Sequence, residues 1–400
     1  MQKITHKFRL YPNKQTETKM LETLDICRQT YNILLGELNN QKVIDKSQIQ
    51  GILPDMKICD PVFNKVYSKT LQYENYRLFS NLRALAQTKK KGRKAGRLRF
   101  KGKNWFKTFT YNQSGFKLIQ TGKRNQVLHL SKIGEIPIRC HRNIRGDIKQ
   151  ITIKRQQSGK WFASICEERE INVEKQPINK VVGIDVGLTS VIYDSEGNKV
   201  GNPRHLKNKS EKLAHLQRLM SKKKKGSNNR NKCRIRLVRQ YEKLVNTRDD
   251  FWHKLSRQYV NNYDAIAMED MPIINMVHGN LGKHILDASW GKFRQFVSYK
   301  AENAGKLYVP VNYRGTTQRC SKCGATVKKE LCDREHKCKC GFVAPRDYNS
   351  ALEIRKLCLQ QIGQGLSEST PVEMLALPHQ RQLASPKQEA PSNFAEIGGE

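Results

Sequence analysis

Two sets of residues in this chain have the types and spacing to do chemistry: a cluster of cysteines and three separated carboxylates. Cys320 and Cys323 form a C-x-x-C pair. After fourteen residues, Cys338 and Cys340 form a C-x-C pair followed by Gly341. Two thiolate pairs, each beside a turn residue, suit a tetrahedral zinc site made of two knuckles. Four protein ligands leave no open position, so the zinc expected here is structural. The second knuckle is one residue shorter than the usual C-x-x-C, which leaves Cys332 and His336 as alternative ligands.

The carboxylates are Asp185, Glu269 and Asp347. Asp185 lies in the apolar run Val181-Val182-Gly183-Ile184-Asp185-Val186-Gly187, Glu269 follows the apolar run 263–268, and Asp347 begins a helix-like stretch after the cysteines. Carboxylates that converge on one side of a sheet bind Mg²⁺. Two such ions ~4 Å apart activate a water and stabilise the leaving oxygen in phosphodiester cleavage. Strand-Asp, turn, strand, a later strand-Glu and then a helix-Asp is the order of an RNase H-like nuclease. Each residue alone has an ordinary reading. Asp185 could be a turn former, Asp270 could replace Glu269, and Asp347 could be a plain helix N-cap. Only the trio in this order, with the cysteines between its second and third members, is specific.

The elements that must position these groups follow from periodicity. Residues 1–12 alternate as a strand, with Ile4, Phe8 and Leu10 between basic residues. Residues 14–87 turn helical, and Met20, Leu21, Leu24, Ile26, Cys27, Tyr31, Leu34 and Leu35 form a stripe near period 3.6. Residues 88–107 hold ten Lys/Arg and no acid, punctuated by Gly92, Gly96 and Gly102, and predict a flexible basic loop or hairpin. Strands follow at 115–119, 126–130 and 136–140, with a hairpin 148–155/161–168 turning at Ser158-Gly159. Residues 171–179 read as a linker. One or two long helices over 204–259 break near Gly226-Ser227-Asn228-Asn229. A helix over 287–304, a strand over 306–311 and a helix near 348–360 complete the pattern. Residues 361–400 carry five acids and two bases among Gln, Ser and Pro and are expected to be disordered.

The chain has 400 residues and a net charge of +38 from 74 Lys+Arg against 36 Asp+Glu. That excess repels itself in a compact state, so its natural partner is a polyanion. Sixteen Lys/Arg between residues 204 and 248 face only Glu211 and Glu242. Lys222, Lys223, Lys224, Arg230, Lys232, Arg234 and Arg236, with Lys101 and Lys103 of the first basic stretch, are the candidate phosphate contacts. Trp105, Phe106, Phe109 and Tyr111 either stack on bases or line a small barrel, and at least two are expected in the core. No run of about 18 apolar residues occurs, so no membrane span is expected. The start lacks the apolar core of a secretory signal. Eleven cysteines in such a basic chain point to metal ligands and buried thiols rather than disulfides. Most of the seven outside the cluster (Cys27, Cys59, Cys140, Cys166, Cys233, Cys332, Cys358) are expected in cores.

Several stretches together resemble the TnpB/OrfB proteins of insertion sequences, relatives of the type V CRISPR effectors. They are Lys7-Phe8-Arg9-Leu10-Tyr11-Pro12, Arg99-Phe100-Lys101 with Phe109-Thr110-Tyr111, Gly183-Ile184-Asp185-Val186-Gly187, and Asp249-Asp250-Phe251-Trp252-His253-Lys254-Leu255-Ser256. Met268-Glu269-Asp270, Trp290, Tyr299-Lys300-Ala301-Glu302, Thr317-Gln318-Arg319-Cys320-Ser321-Lys322-Cys323-Gly324 and Arg346-Asp347-Tyr348-Asn349-Ser350-Ala351 complete the set. The resemblance extends to about residue 367. Pro345 departs from it, standing where the family commonly has an acid.

The resemblance implies an α+β multidomain protein. A wedge-like N-terminal β-barrel would comprise 1–12 and 96–172, with a helical recognition insertion at 13–95. A RuvC-type nuclease domain would comprise 176–318 and 342–360, with a zinc ribbon at 319–341 and a tail at 361–400. It implies Asp185, Glu269 and Asp347 as catalytic residues on Mg²⁺, and Cys320, Cys323, Cys338 and Cys340 on Zn²⁺. The partners implied are a guide RNA from the transposon end and a double-stranded DNA target, in the prokaryotic cytoplasm at the nucleoid. The alternatives are a catalytically decayed nucleic-acid-binding regulator of transposition and a structural zinc-ribbon RNA binder.

Overall fold

Alternation builds the first strand. In β1 (Gln2–Leu10) the side chains of His6, Phe8 and Leu10 are buried while Lys3, Thr5 and Lys7 are exposed, the two-residue period of a half-buried strand. The computed structural model describes residues 2–41, 43–120, 126–170, 174, 177–330 and 332–366. The chain divides into two mixed α/β units, one of Met1–Glu174 with His205–Arg248 and one of Lys175–Arg204 with Asp249–Glu400.

In the first unit, α1 (Lys14–Asn40) starts at Asn13, whose side chain accepts a hydrogen bond from the Thr16 N–H at 2.8 Å, an N-cap. Its buried stripe of Met20, Leu24, Cys27, Tyr31, Leu34 and Leu38 joins α2 (Lys46–Cys59) and α3 (Ser68–Lys90) in one core. Six further strands join β1: β2 (Thr108–Asn112), β3 (Phe116–Gln120), β4 (Gln126–Leu130), β5 (Gly134–Arg139), β6 (Asp147–Arg155) and β7 (Trp161–Arg169). Every pair in this seven-stranded sheet is antiparallel, in the order β2-β6-β7-β1-β5-β4-β3.

The sheet is open, which corrects the expected N-terminal barrel. Among the described residues β2 pairs only with β6 and β3 only with β4. Helix α3 covers the edge that closure would need. Arg77 donates to the Thr108 carbonyl at 3.2 Å. Tyr67 stacks on Tyr111 with ring centres 5.7 Å apart. A Cβ added at Gly115 would lie 2.4 Å from the Tyr67 ring. Of the loop and the hairpin expected over 88–107, the structure has the loop: α3 runs through Lys90, and no strand forms between it and β2.

The second unit is built on five short strands, β8 (Val181–Asp185), β9 (Ser190–Asp194), β10 (Lys199–Gly201), β11 (Ala265–Glu269) and β12 (Leu307–Val311), in the order β10-β9-β8-β11-β12. β8, β11 and β12 are parallel, while β9 runs antiparallel to β8 and β10 to β9. The helical pair predicted over 204–259 is α4 (Ser210–Ser221) and α5 (Asn228–Asn262), and α5 crosses from the first unit into the second. α6 (Ile273–Val277), α7 (Gly282–Ala288) and α8 (Trp290–Asn303) follow β11. Val182, Ile184, Ile266 and Met268 pack on Trp252 and Tyr259 of α5 and on Phe293 and Val297 of α8.

The opposite face carries small residues because a helix lies close against it. Ala265, Ala267 and Val181 meet Ile354 and Cys358 of α9 (Arg346–Leu366). At Gly183 an added Cβ would stand 2.2 Å from the Ala351 carbonyl oxygen and 2.4 Å from the Arg355 nitrogen. Backbone cannot yield as a flexible side chain can. Gly183→Ala is therefore expected to lower stability by about 1–3 kcal/mol, the usual cost of overpacking. A denaturation midpoint equal to that of the wild type would refute this close packing.

α9 reaches Leu366, so residues 361–366 are helical and not part of the disordered tail expected from residue 361; residues 367–400 lie outside the described residues. Of the seven cysteines outside the cluster only Cys27 and Cys358 are buried, while Cys59 and Cys332 are exposed. Among the described residues no helix is long and apolar enough to cross a membrane.

Candidate functional site

The parallel register of β8 and β11 puts two carboxylates side by side. Val181 faces Ala265 and Ile184 faces Met268, so the strands end together on Asp185 and Glu269. Both are nearly covered, at 8% and 9% exposed. Asp347 enters from the first turn of α9, and its Oδ2 would lie 4.0 Å from a Cβ at Gly187, in the turn after β8.

Burial is the main force raising the Asp185 pKa well above the ordinary carboxylate range. The neighbouring charges of Glu269 and Asp347 add to it, and Arg346 and the Val186 N–H oppose it. Burial also raises Glu269, against a hydrogen bond donated by the Thr316 hydroxyl to Glu269 Oε1. Three neighbouring carboxylates, two of them buried, suit a divalent cation, which would supply the missing positive charge. Their oxygens do not all fall within 4.8 Å of one another; among the described residues only the four cysteines form such a set. Asp270 is not an equivalent of Glu269, because it is exposed and pairs with Arg294 at 2.6 Å.

The cysteine sulfurs lie 3.8 Å apart for Cys320 and Cys340 and 3.5 Å apart for Cys323 and Cys338. Four sulfurs at about 2.3 Å from a zinc would stand roughly 3.8 Å from one another, so these residues fit that ion. The short knuckle has a physical explanation. In the first knuckle the Gly324 N–H reaches back to the Cys320 carbonyl at 2.8 Å. In the second the Gly341 N–H reaches the Cys338 carbonyl at 3.0 Å. The turn is one residue tighter, as the spacing is, and both glycines take the positive φ it needs, +80° and +83°. Cys332 is exposed and outside the cluster, and His336 is buried in β13 (Glu335–Lys337) against Phe342.

The ribbon and the acidic site share their supports. β13 pairs with β14 (Val343–Pro345), and α9 begins at the next residue. Asn349, fully buried one turn into α9, donates to the Arg319 carbonyl at 2.8 Å and accepts from the Ser321 N–H at 3.0 Å. Arg319 pairs with Glu353 at 3.2 Å. The cysteine knuckle thus grips the turn of α9 that carries Asp347. Sequence reasoning gave no role to Asn349 or Thr316. Asn349 stands in the Arg346–Ala351 stretch that carries the family resemblance, two residues after Asp347. Thr316 stands in none of the stretches that carry it.

The basic candidates belong to the first unit. Lys222, Lys223 and Lys224 are exposed between α4 and α5, and Lys232, Arg234 and Arg236 are exposed on α5. Arg230 has a structural task, donating to the Met220 and Lys223 carbonyls at 3.1 and 3.0 Å. Lys107 is shifted down by burial, with Arg155 and Arg234 adding repulsion, so the basic loop and α5 crowd charge onto one surface. Lys101 is half-buried and Lys103 exposed in that loop. Phe106, Phe109 and Tyr111 are core residues, and Trp105 is exposed.

Comparison with known proteins places the chain. Residues 164–279 match a family model described as "Probable transposase", 290–354 one described as "Cas12f1-like, TNB domain", and 1–41 one described as "Helix-turn-helix domain". The last stretch forms β1 and α1 here. A "Putative RNA-guided DNA endonuclease" of Streptomyces pristinaespiralis is 30% identical over 366 residues, covering 87% of each chain. The "Putative RNA-guided DNA endonuclease InsQ" of Escherichia coli (strain K12) is 29% identical over 374 residues, covering 87% of this chain and 90% of its own. In fold, the chain is similar to the protein in the cryo-EM structure of the Cas12f1-sgRNA-target DNA complex, with a TM-score of 0.53 at 13% identity, over 86% of this chain and 83% of that one. From the relative that matches across nearly its whole length and the models that match its parts, this chain belongs to the OrfB/TnpB family.

Proposed function

We propose that this chain is an RNA-guided, Mg²⁺-dependent DNA endonuclease of RuvC type. The observation that carries the reading is the meeting of Asp185, Glu269 and Asp347 at the ends of β8, β11 and the start of α9. The sheet order, three strands up to the central one and two parallel strands beyond it, supports reading this unit as RNase H-like. We read it as the nuclease domain of residues 176–318 and 342–360, with a zinc ribbon inserted at 319–341. The open seven-stranded sheet with its helices 13–95 would be the recognition part. The net charge of +38 suits a chain that holds both a guide RNA and a DNA target. Base pairing would choose the sequence, as in related guided systems.

Mg²⁺ bound at the carboxylates would activate the attacking water and stabilise the leaving oxygen. The chain's residues set up that chemistry. Asp185 and Glu269 are fixed on neighbouring strands in a place with little water, where charge acts at long reach. Thr316 occupies Oε1 of Glu269 and so selects which oxygen is left for the metal. Asp347 is held by a helix that the ribbon anchors through Asn349. The four thiolates leave zinc no vacant position, which gives it a structural task.

Thr316→Val keeps the shape and removes the donor. It is expected to cut metal-dependent cleavage by roughly 10- to 100-fold, the usual effect of losing a partner that orients a metal ligand, and Thr316→Ser should restore it. Equal losses in both variants would deny the hydroxyl this role.

The test of the whole reading is to express the chain with its native flanking DNA and sequence the RNA that co-purifies. The expected result is one discrete RNA that ends in flanking sequence, together with Mg²⁺-dependent cleavage of a duplex matching that end. Random cellular RNA and no cleavage would overturn the reading.

A further inference from the structure

The loop before β2 presents two large aromatics to solvent, Phe100 at 61% and Trp105 at 65% exposed. The other three of the chain's four tryptophans, Trp161, Trp252 and Trp290, are buried. A single exposed aromatic needs no explanation, but this one is held in place on both sides. Asn32 accepts from the Lys101 N–H at 2.7 Å and donates to the Lys101 carbonyl at 3.0 Å, and Arg28 donates to the same carbonyl at 3.2 Å.

A turn follows, closed by the Trp105 N–H on the Gly102 carbonyl at 3.1 Å. Asn104 occupies its left-handed position at φ 64°, which asparagine tolerates. Lys107 Nζ donates to the Asn104 carbonyl at 2.7 Å. On the far side Phe106 is buried, 5.7 Å from the Tyr31 ring. The backbone is therefore fixed while the indole is exposed. Lys101 Nζ lies 5.2 Å from the indole centre, beside Lys103 in a stretch without acids.

A rigid, exposed aromatic ring with the Lys101 ammonium over one of its faces has what an unpaired base and its phosphate require: a π surface to stack on and a cation nearby. We propose that Trp105, with Lys101, is the stacking platform for an unpaired nucleobase of a single-stranded polynucleotide lying along residues 97–107. This rests on the reading of the chain as a nucleic-acid-binding nuclease and adds a specific contact to it. Duplex does not fit, because its bases are already stacked on one another.

The test uses full-length protein freed of co-purified nucleic acid, with fluorescein-labelled 12-nucleotide RNA, the same sequence as DNA, and the matching duplex. Anisotropy reports binding, and tryptophan emission reports Trp105, since the other three indoles are buried. The expected result is binding with quenched emission for a single strand and no quench for duplex. Quenching by RNA alone or by DNA alone would name the strand. Trp105→Ala should weaken single-strand binding roughly 10- to 100-fold. Trp105→Phe should retain most of the affinity and lose the emission change, which separates stacking from misfolding. A strand that binds without quenching, equal quenching by duplex, or unchanged affinity in Trp105→Ala would overturn the proposal and leave the nuclease reading standing. Failure of every strand to bind would remove both.

Discussion

Asp185→Asn is expected to cripple DNA cleavage and, in Mg²⁺-free buffer, to make the protein more stable than the wild type. The two effects have one cause. Asp185 is buried beside Glu269 and Asp347, and its pKa in the folded chain stands well above that of an exposed carboxylate. Between the unfolded and folded values, the folded chain keeps a proton that the unfolded chain has released. Stability therefore falls as pH rises through that window, and the full penalty persists above it. Asparagine has the same shape and no charge to bury.

The variant's advantage in melting temperature should be absent at pH 3, grow as the pH rises and then level off. Added Mg²⁺ should raise the melting temperature of the wild type and not that of the variant. Cleavage should fall on the order of 10³-fold, the upper range for losing one electrostatic stabiliser. A variant less stable than wild type at pH 7 would contradict the burial and coupling of Asp185. Retained cleavage would end the nuclease proposal.

Cys340→Ser should release zinc and disable cleavage without unfolding the five-stranded sheet. Structural zinc in small cysteine sites is worth about 10–16 kcal/mol to their folding, and residues 319–345 have little else. Few of their side chains are buried, and the regular structure is a pair of three-residue strands. Once the knuckles open, Asn349 loses both partners and Arg319 its fixed place opposite Glu353. Asp347 is then left on a frayed helix end.

Elemental analysis should give one zinc per chain for wild type and Cys332→Ser, and none for Cys340→Ser. Limited proteolysis should cut the latter within 319–345 while the sheet survives. One zinc retained in Cys340→Ser, or lost in Cys332→Ser, would show that the fourth ligand has been misassigned.

The site was legible in sequence to the extent that it depends on strands. A short apolar run ending in an acid and bounded by glycines, as at 181–187, reads as a buried strand with its carboxylate near the tip. The two cysteine pairs were equally plain, since few other arrangements place thiolates beside glycine turns. What stayed hidden depends on contacts far apart in the chain. Gly183, Ala265 and Ala267 look like ordinary strand residues until α9 lies on them. Alternating strands predict a sheet but not whether it closes, and Tyr67 and Arg77, from a helix more than thirty residues away in sequence, decide that. Phe106 and Trp105 are neighbours of the same type, and only the packing of Tyr31 separates core from surface.

The order of the carboxylates along the chain has a consequence for timing. Asp185 and Glu269 are translated first, and Asp347 and the helix that fills the space beside Gly183 come 78 residues after Glu269. At ~5–20 residues per second, the ribosome works for roughly 4–16 s between Glu269 and Asp347. Throughout that interval the nascent chain already carries both basic stretches of the first unit, while the third carboxylate of the trio has yet to be added. A reading-frame error anywhere in this interval would likewise leave a chain with its basic stretches and two of the three carboxylates but without Asp347 and α9.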